Sequence, residues 1–184
     1  MSAYITLLGA PGSGKGTQSL KLSKILEIPT IGIGDLIRNE IAKKSELGLK
    51  VEPLTSRGQL VPDDIITNIF KDNITKQMFE KGVISDGYPR NLKQAQAFQD
   101  IFLGKPLKTI IIYLDVPPQV LKARLFDRKR ADDTEEVIET RNKVYAELTR
   151  PILDFFGDKV FKINGNSDQE SIFSELQSLV KRHA

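Results

Sequence analysis

The stretch that most constrains this chain is YITLLGAPGSGKGTQ, residues 4–18. A short apolar run ends in a glycine-rich loop. KGTQSLKLSKIL then carries apolar or small residues at helical spacing, so the loop falls between a strand and a helix. Gly9, Gly14 and Lys15 fit the pattern G-x-x-x-x-G-K-[ST]. Glycines in that pattern let successive backbone N–H groups face one concavity, and the positive end of the following helix adds to it. Such a loop draws phosphate oxygens. Lys15 would reach the outer phosphates as a mobile point charge. One position departs: the hydroxyl slot holds Gly16, and Thr17 arrives one place late.

The remaining pattern repeats the strand–helix alternation. GVISDG (82–87), KTIIIYLDV (108–116) and KVFKING (159–165) are further apolar, β-branched runs, and IPTIGIGD (28–35) is a weaker one. Helical spacing occupies 35–44, 47–57, 63–80, 91–103, 117–128, 134–156 and 168–182. Near-continuous apolar strands alternating with helices predict an α/β fold, a parallel sheet covered on both faces. Asp133 with Glu136 reads as a capping box and Asp63 as the cap of the helix after Pro62. Pro117 and Pro118 suit a first helical turn.

Length and composition set outer limits. A chain of 184 residues predicts one domain, or one domain with small inserts. With no cysteine there is no disulfide and no thiolate metal site, and the one histidine, His183, reads as a solvated tail residue. A zinc site of the Cys/His kind is thus excluded. The 27 basic and 24 acidic residues nearly balance, and no dense Lys/Arg block with interleaved aromatics marks a nucleic-acid partner. No apolar run is long enough to cross a bilayer, and Met1 to Leu8 has no basic leader. A cytoplasmic protein without a membrane partner is the expectation.

Arginines form the second signal. Arg38 follows GDLI, Arg90 ends DGYPR, and Arg124, Arg128, Arg130 and Arg141 cluster late. Arg124 and Arg128 share one helix face. Any one of them could be a solvated surface charge. Beside a phosphate loop, the set fits phosphoryl transfer, which needs positive charge placed around spread-out negative charge. Asp86 ends a strand, where a carboxylate could orient magnesium-bound water. An Asx turn before Gly87 is the plain alternative. No Ser-His-Asp set and no histidine base is present. A hydroxyl acceptor would require a base; a phosphate acceptor does not, because its oxygens are already ionised.

On these residues the chain resembles the adenylate kinases of the short-lid type. GAPGSGKGTQ is similar to that family's own loop, G-x-P-G-x-G-K-G-T, so Gly16 belongs to the pattern of this branch. GDLIR, GQLVPDD, DGYPRNLKQA and RADDTEEVIETR match later blocks of the family in order and spacing. The resemblance implies a P-loop NTPase-like core with a five-stranded parallel sheet flanked by helices (1–31, 62–127 and 135–184). It also implies a monophosphate-binding insert (32–61) and a short lid (128–134) without zinc. It implies the Mg-dependent reaction ATP + AMP ⇌ 2 ADP in a monomer. Gly12, Ser13, Gly14, Lys15, Gly16 and Thr17 would hold ATP phosphates. Arg124 and Ser167 would lie near its base and Arg128 near its phosphates. Arg38 and Arg90 would clamp the AMP phosphate. Ile33, Gln59, Leu60, Val61, Gly87, Tyr88, Pro89 and Gln94 would line the AMP site, with Gln94 reading adenine. Arg130 and Arg141 would meet the transferring group. Asp86 would act through magnesium waters, supported by Asp132 and Asp133.

Two other readings stay open. The family usually has threonine where Ile33 stands and often glycine where Ser167 stands. Pyrimidine monophosphate kinases of the same superfamily also lack that threonine hydroxyl, whereas Gln94 favours AMP. A nucleotide-dependent switch is the alternative of another class, opposed by the arginine set and by the lack of an N-K-x-D block.

Overall fold

The computed structural model describes residues 3–105, 108–128 and 134–183. Five strands form one parallel sheet: β1 (Ala3–Leu8), β2 (Thr30–Gly32), β3 (Gly82–Asp86), β4 (Lys108–Asp115) and β5 (Val160–Asn164), in the spatial order β2-β3-β1-β4-β5. Ile5 of β1 stands opposite Ile84 of β3 on one side and Ile110 of β4 on the other. The chain leaves β1 first towards β2 and β3, then crosses to build β4 and β5. The order therefore reverses at β1, and in open parallel sheets ligands bind beyond the carboxyl ends of the strands at such a point.

Side chains of β1 alternate between two cores, as the period of a strand requires. Tyr4 and Leu8 join an aromatic-rich cluster on one face; Ala3, Ile5 and Leu7 join an aliphatic cluster on the other. All six β1 residues are buried, because helices cover both faces. In the aromatic cluster the Tyr4 ring lies 4.1 Å from Phe102 and 4.5 Å from Phe98, and Phe70 stacks on Tyr88 at 4.4 Å. These contacts fasten α4 (Asp63–Asp72) and α6 (Leu92–Phe102) to the sheet. On the opposite face Leu22 of α1 (Lys15–Leu26) and Ile172, Leu176, Leu179 and Val180 of α10 (Gln169–His183) cover the aliphatic core.

Several boundaries differ from the sequence reading. The weak strand over 28–35 shortens to Thr30–Gly32, and α2 (Ile33–Ala42) begins at Ile33; α3 is Glu46–Thr55. The long helix expected over 63–80 is two, α4 and α5 (Lys76–Lys81), since the Asn73 N–H and side chain both turn back onto the Ile69 carbonyl and end the first. Asp63 does not cap α4. It is the first residue of the helix, Pro62 precedes it, and its carboxylate is engaged elsewhere. The cap of α8 (Glu135–Val144) is Thr134, whose hydroxyl accepts from the Val137 N–H, rather than Asp133, which lies outside the described residues. α7 is Pro118–Arg128, starting at a proline as expected.

The helix expected over 134–156 is interrupted. After α8 comes a π turn, Tyr145–Thr149, in which the Arg150 N–H bonds the Tyr145 carbonyl at 2.9 Å; α9 is Pro151–Phe156. Pro151 offers no N–H, and its ring would strike the carbonyl of Glu147 in a regular helix. The chain widens there instead of breaking.

Candidate active site

β1 delivers the glycine loop into the crevice where the strand order reverses. Gly12 and Gly14 have φ of 84° and 93°, values that suit glycine alone in so tight a turn. At Gly12 a β-carbon would also lie 2.9 Å from Leu125 of α7. The Ser13 N–H closes the loop on the Ala10 carbonyl at 3.1 Å. α1 then starts at Lys15 with Gly14 in the capping position and no side-chain cap. Its first-turn N–H groups thus lack the usual side-chain acceptor, which is the condition for anion binding at a helix start. At Gly16, where the pattern departs, a β-carbon would lie 3.1 Å from Asp86 Oδ2, a tight approach to that carboxylate. The place of the usual hydroxyl is next to the carboxylate that ends β3.

The turn after β3 is tied to the sheet. Thr6 Oγ1 and Ser85 Oγ each donate to the Tyr88 carbonyl at 2.8 Å. Arg90 Nε donates to the Gly87 carbonyl at 2.7 Å, the Arg90 N–H to Gln94 Oε1 at 2.8 Å, and Gln94 Nε2 to Asp63 Oδ1 at 2.8 Å. Asn91 Nδ2 meets the same Asp63 oxygen at 2.6 Å.

A cavity of about 1760 Å³ opens at this end of the sheet. Gly12, Ser13, Gly14, Lys15, Gly16 and Thr17 line it on one side, with Arg124, Arg128 and Ser167. Arg38, Gln59, Leu60, Asp86, Gly87, Pro89, Arg90 and Arg141 line the rest. Ile33, Val61, Tyr88 and Gln94 are not brought to the wall. Each is buried, the first three in the aromatic core and Gln94 behind Arg90. Arg130, Asp132 and Asp133 lie outside the described residues. Thr149 and Tyr145 of the π turn, which sequence reasoning did not single out, also face the cavity. Pro151 was the available signal for that irregularity.

The cationic groups feel one another. Burial lowers the Lys15 pKa from 10.5 to about 8, with Asp86 opposing the shift and Arg90 and Arg128 adding to it. Its ammonium donates to the carbonyls of Gly9 and Ala10 at 2.8 and 2.9 Å and to Ser13 Oγ at 3.3 Å. Burial likewise pulls Arg90 below its ordinary value; Asp86 resists, and Arg141 and Arg38 reinforce. Arg124 donates to the Gly165 carbonyl at 2.8 Å, which ties α7 to the turn after β5. Arg38 pairs with Asp35 one helical turn away on a half-exposed surface. His183 is remote from all of this, its ring 4.3 Å from Phe161.

A parallel sheet whose first strand feeds a glycine loop and a helix N-terminus into an arginine-lined cleft defines a P-loop nucleotide-binding protein. The adenylate kinase family model matches residues 7–161. The chain belongs to the adenylate kinase family. It is 37% identical to the adenylate kinase of Thermosipho melanesiensis over 213 aligned positions, covering 97% of this chain and 99% of that protein. It is 39% identical to the adenylate kinase of Prochlorococcus marinus strain AS9601 over 181 positions (96% and 98%), and 38% to adenylate kinase 1 of Synechocystis over 184 positions (98% and 98%). The first alignment is longer than this chain, so that relative carries residues with no counterpart here.

Proposed function

We propose that this chain catalyses the reversible transfer of a phosphoryl group from ATP to AMP, giving two ADP. The observation that carries the reading is convergence: Lys15, Arg38, Arg90, Arg128 and Arg141 line one cavity with Asp86. An AMP phosphate oxygen attacks the terminal phosphorus of ATP while the bond from that phosphorus to the ADP oxygen breaks. The attacking oxygen is already ionised, so no proton acceptor is needed. The only histidine of the chain stands against Phe161, away from the cavity.

On the donor side the loop from Gly12 to Thr17 cradles the triphosphate, Lys15 leaves its backbone carbonyls to meet it, and Arg128 adds charge. Arg124 and Ser167 flank the base. On the acceptor side Arg38 and Arg90 hold the AMP phosphate, with Gln59, Leu60, Gly87 and Pro89 around the nucleoside. Ile33, Val61, Tyr88 and Gln94 support that wall from behind. Arg141, together with Arg130, meets the group in flight. By the family resemblance, the insert 32–61 and a short lid 128–134, of which 129–133 lie outside the described residues, would close on the core and exclude water. The cavity sides with Asp86 also fit magnesium. The Asp86 carboxylate stands beside the phosphate loop, placed to accept hydrogen bonds from the waters that Mg²⁺ keeps. Bound with ATP, the ion would neutralise charge on the donor phosphates, with Asp86 holding its waters. Among the described residues no group of three His, Cys, Asp or Glu gathers, and the sequence has no cysteine for zinc. No helix of the described residues is long and apolar enough to cross a membrane. A monomer in the cytoplasm completes the reading, by family resemblance.

The test is ADP production from ATP with AMP, CMP, UMP and GMP offered in turn. AMP is expected to be preferred by at least about tenfold. Faster turnover of CMP or UMP would make the chain a pyrimidine monophosphate kinase, and nucleotide binding without AMP-dependent ADP formation would make it a switch.

A further inference from the structure

Thr149 is the last residue of the π turn, and its hydroxyl donates to the Arg90 carbonyl at 2.7 Å across 59 residues of sequence. In an unbroken α-helix Thr149 would stand about 80° round the axis from Arg141. A π turn takes up one more residue than an α turn and carries the later residues of the helix back towards the side of Arg141. Both residues face the cavity. Two further polar groups of Arg90 are fixed as well: its N–H by Gln94 and its Nε by the Gly87 carbonyl. Arg90 is therefore gripped by α6, by its own turn and by the helix that carries Arg141.

That third grip addresses a physical problem. Arg90 and Arg141 are like charges in one cleft, close enough to depress the Arg90 pKa further below what burial does. Asp86 opposes that effect, and the Thr149 bond fixes the Arg90 backbone however these charges balance. We propose that Thr149 is a positioning residue for the acceptor phosphate: its hydroxyl, brought to the Arg90 carbonyl by the π turn, pins the Arg90 backbone beside the helix of Arg141. This rests on the reading of the cavity as an ATP–AMP site.

The experiment compares Thr149→Val, Thr149→Ser and the core variant Ile152→Val in the whole chain, by thermal melting and by steady-state kinetics varying each nucleotide separately. Ile152 is fully buried in α9, just beyond the π turn, and its truncation supplies a loss of stability without touching the cavity. Thr149→Val is expected to lower kcat/KM for AMP about tenfold while KM for ATP stays within about twofold. Thr149→Ser keeps the donor and is expected to recover most of that loss. The proposal is overturned if Thr149→Val matches the parent towards AMP, if Thr149→Ser is as poor as Thr149→Val, or if Ile152→Val shows the same AMP-selective fall. If the parent chain itself makes no ADP from ATP and AMP, the acceptor reading fails first and this one with it.

Discussion

The Lys15 ammonium donates to the Gly9 carbonyl at 2.8 Å, folding back across the loop that its own charge is proposed to complete. It is held in a place where burial lowers its pKa to about 8, against 10.5 for an ordinary lysine. The loop thus stores its cation on backbone acceptors, and incoming phosphates must compete for it.

The consequence for activity is a pH dependence. In the free protein Lys15 loses its proton near pH 8, so kcat/KM for ATP should fall by about tenfold per pH unit above that value. At saturating ATP the bound anion raises the pKa again, and the falling limb of kcat should move to higher pH. Lys15→Arg, which stays charged, should lack the limb. A kcat/KM that is flat to about pH 9.5 would remove Lys15 from phosphate binding. Stability moves the other way. The folded chain binds this proton less well than the unfolded chain. The group therefore costs stability below about pH 8, and that cost fades as pH rises towards 10.5.

Arg90 should not tolerate lysine. Its Nε is committed to the Gly87 carbonyl at 2.7 Å, and the residue lines the cavity. A lysine keeps the charge but cannot donate to Gly87 and present two parallel N–H groups at once. Arg90→Lys is expected to lower kcat by about 100-fold, with KM for ATP little changed, as measured by initial rates at saturating nucleotides. Turnover near that of the parent would show that the clamp is not made by the fork.

Asp63 should matter to both fold and site. One of its oxygens accepts from Asn91 Nδ2 and Gln94 Nε2, and Gln94 in turn accepts from the Arg90 N–H. Asp63→Ala strands two amide donors, one of them on the buried Gln94, and about 2–3 kcal/mol of stability should be lost by urea titration. KM for AMP should rise with it, because the Arg90 turn loses its support. Asp63→Asn retains an acceptor and should lose roughly 1 kcal/mol. A carboxylate worth nothing in that titration would mean the network is incidental.

The same residue shows where sequence reading stops. The loop, the strand order's parallel character and the arginine set were legible because glycine spacing, apolar runs and formal charge are local properties. Asp63 reads locally as a helix cap; only the fold puts Asn91 and Gln94 against it. Gln94 is expected on the AMP site's wall, reading adenine, yet it is buried behind Arg90 because α6 packs Ala95 and Phe98 beside it into the core. Thr149 carries no motif at all. Its role depends on a widened turn, and the local clue to that turn is Pro151, two residues further on.

Gly58 joins two parts of the chain that the sequence keeps apart. It has φ of 73°, and a β-carbon there would lie 2.8 Å from the Val137 carbonyl and 3.2 Å from Arg141 Cγ, both on α8. The link between α3 and α4 therefore rests directly on the helix that brings Arg141 to the cavity, and a glycine is what allows it. Gly58→Ala adds strain at a left-handed residue, on the order of 1 kcal/mol, and also pushes against backbone that cannot swing away. If that contact aligns the acceptor wall with Arg141, kcat should fall at least about tenfold, out of proportion to the change in Tm. A variant that melts earlier but turns over at the parent rate would make the contact a matter of packing only.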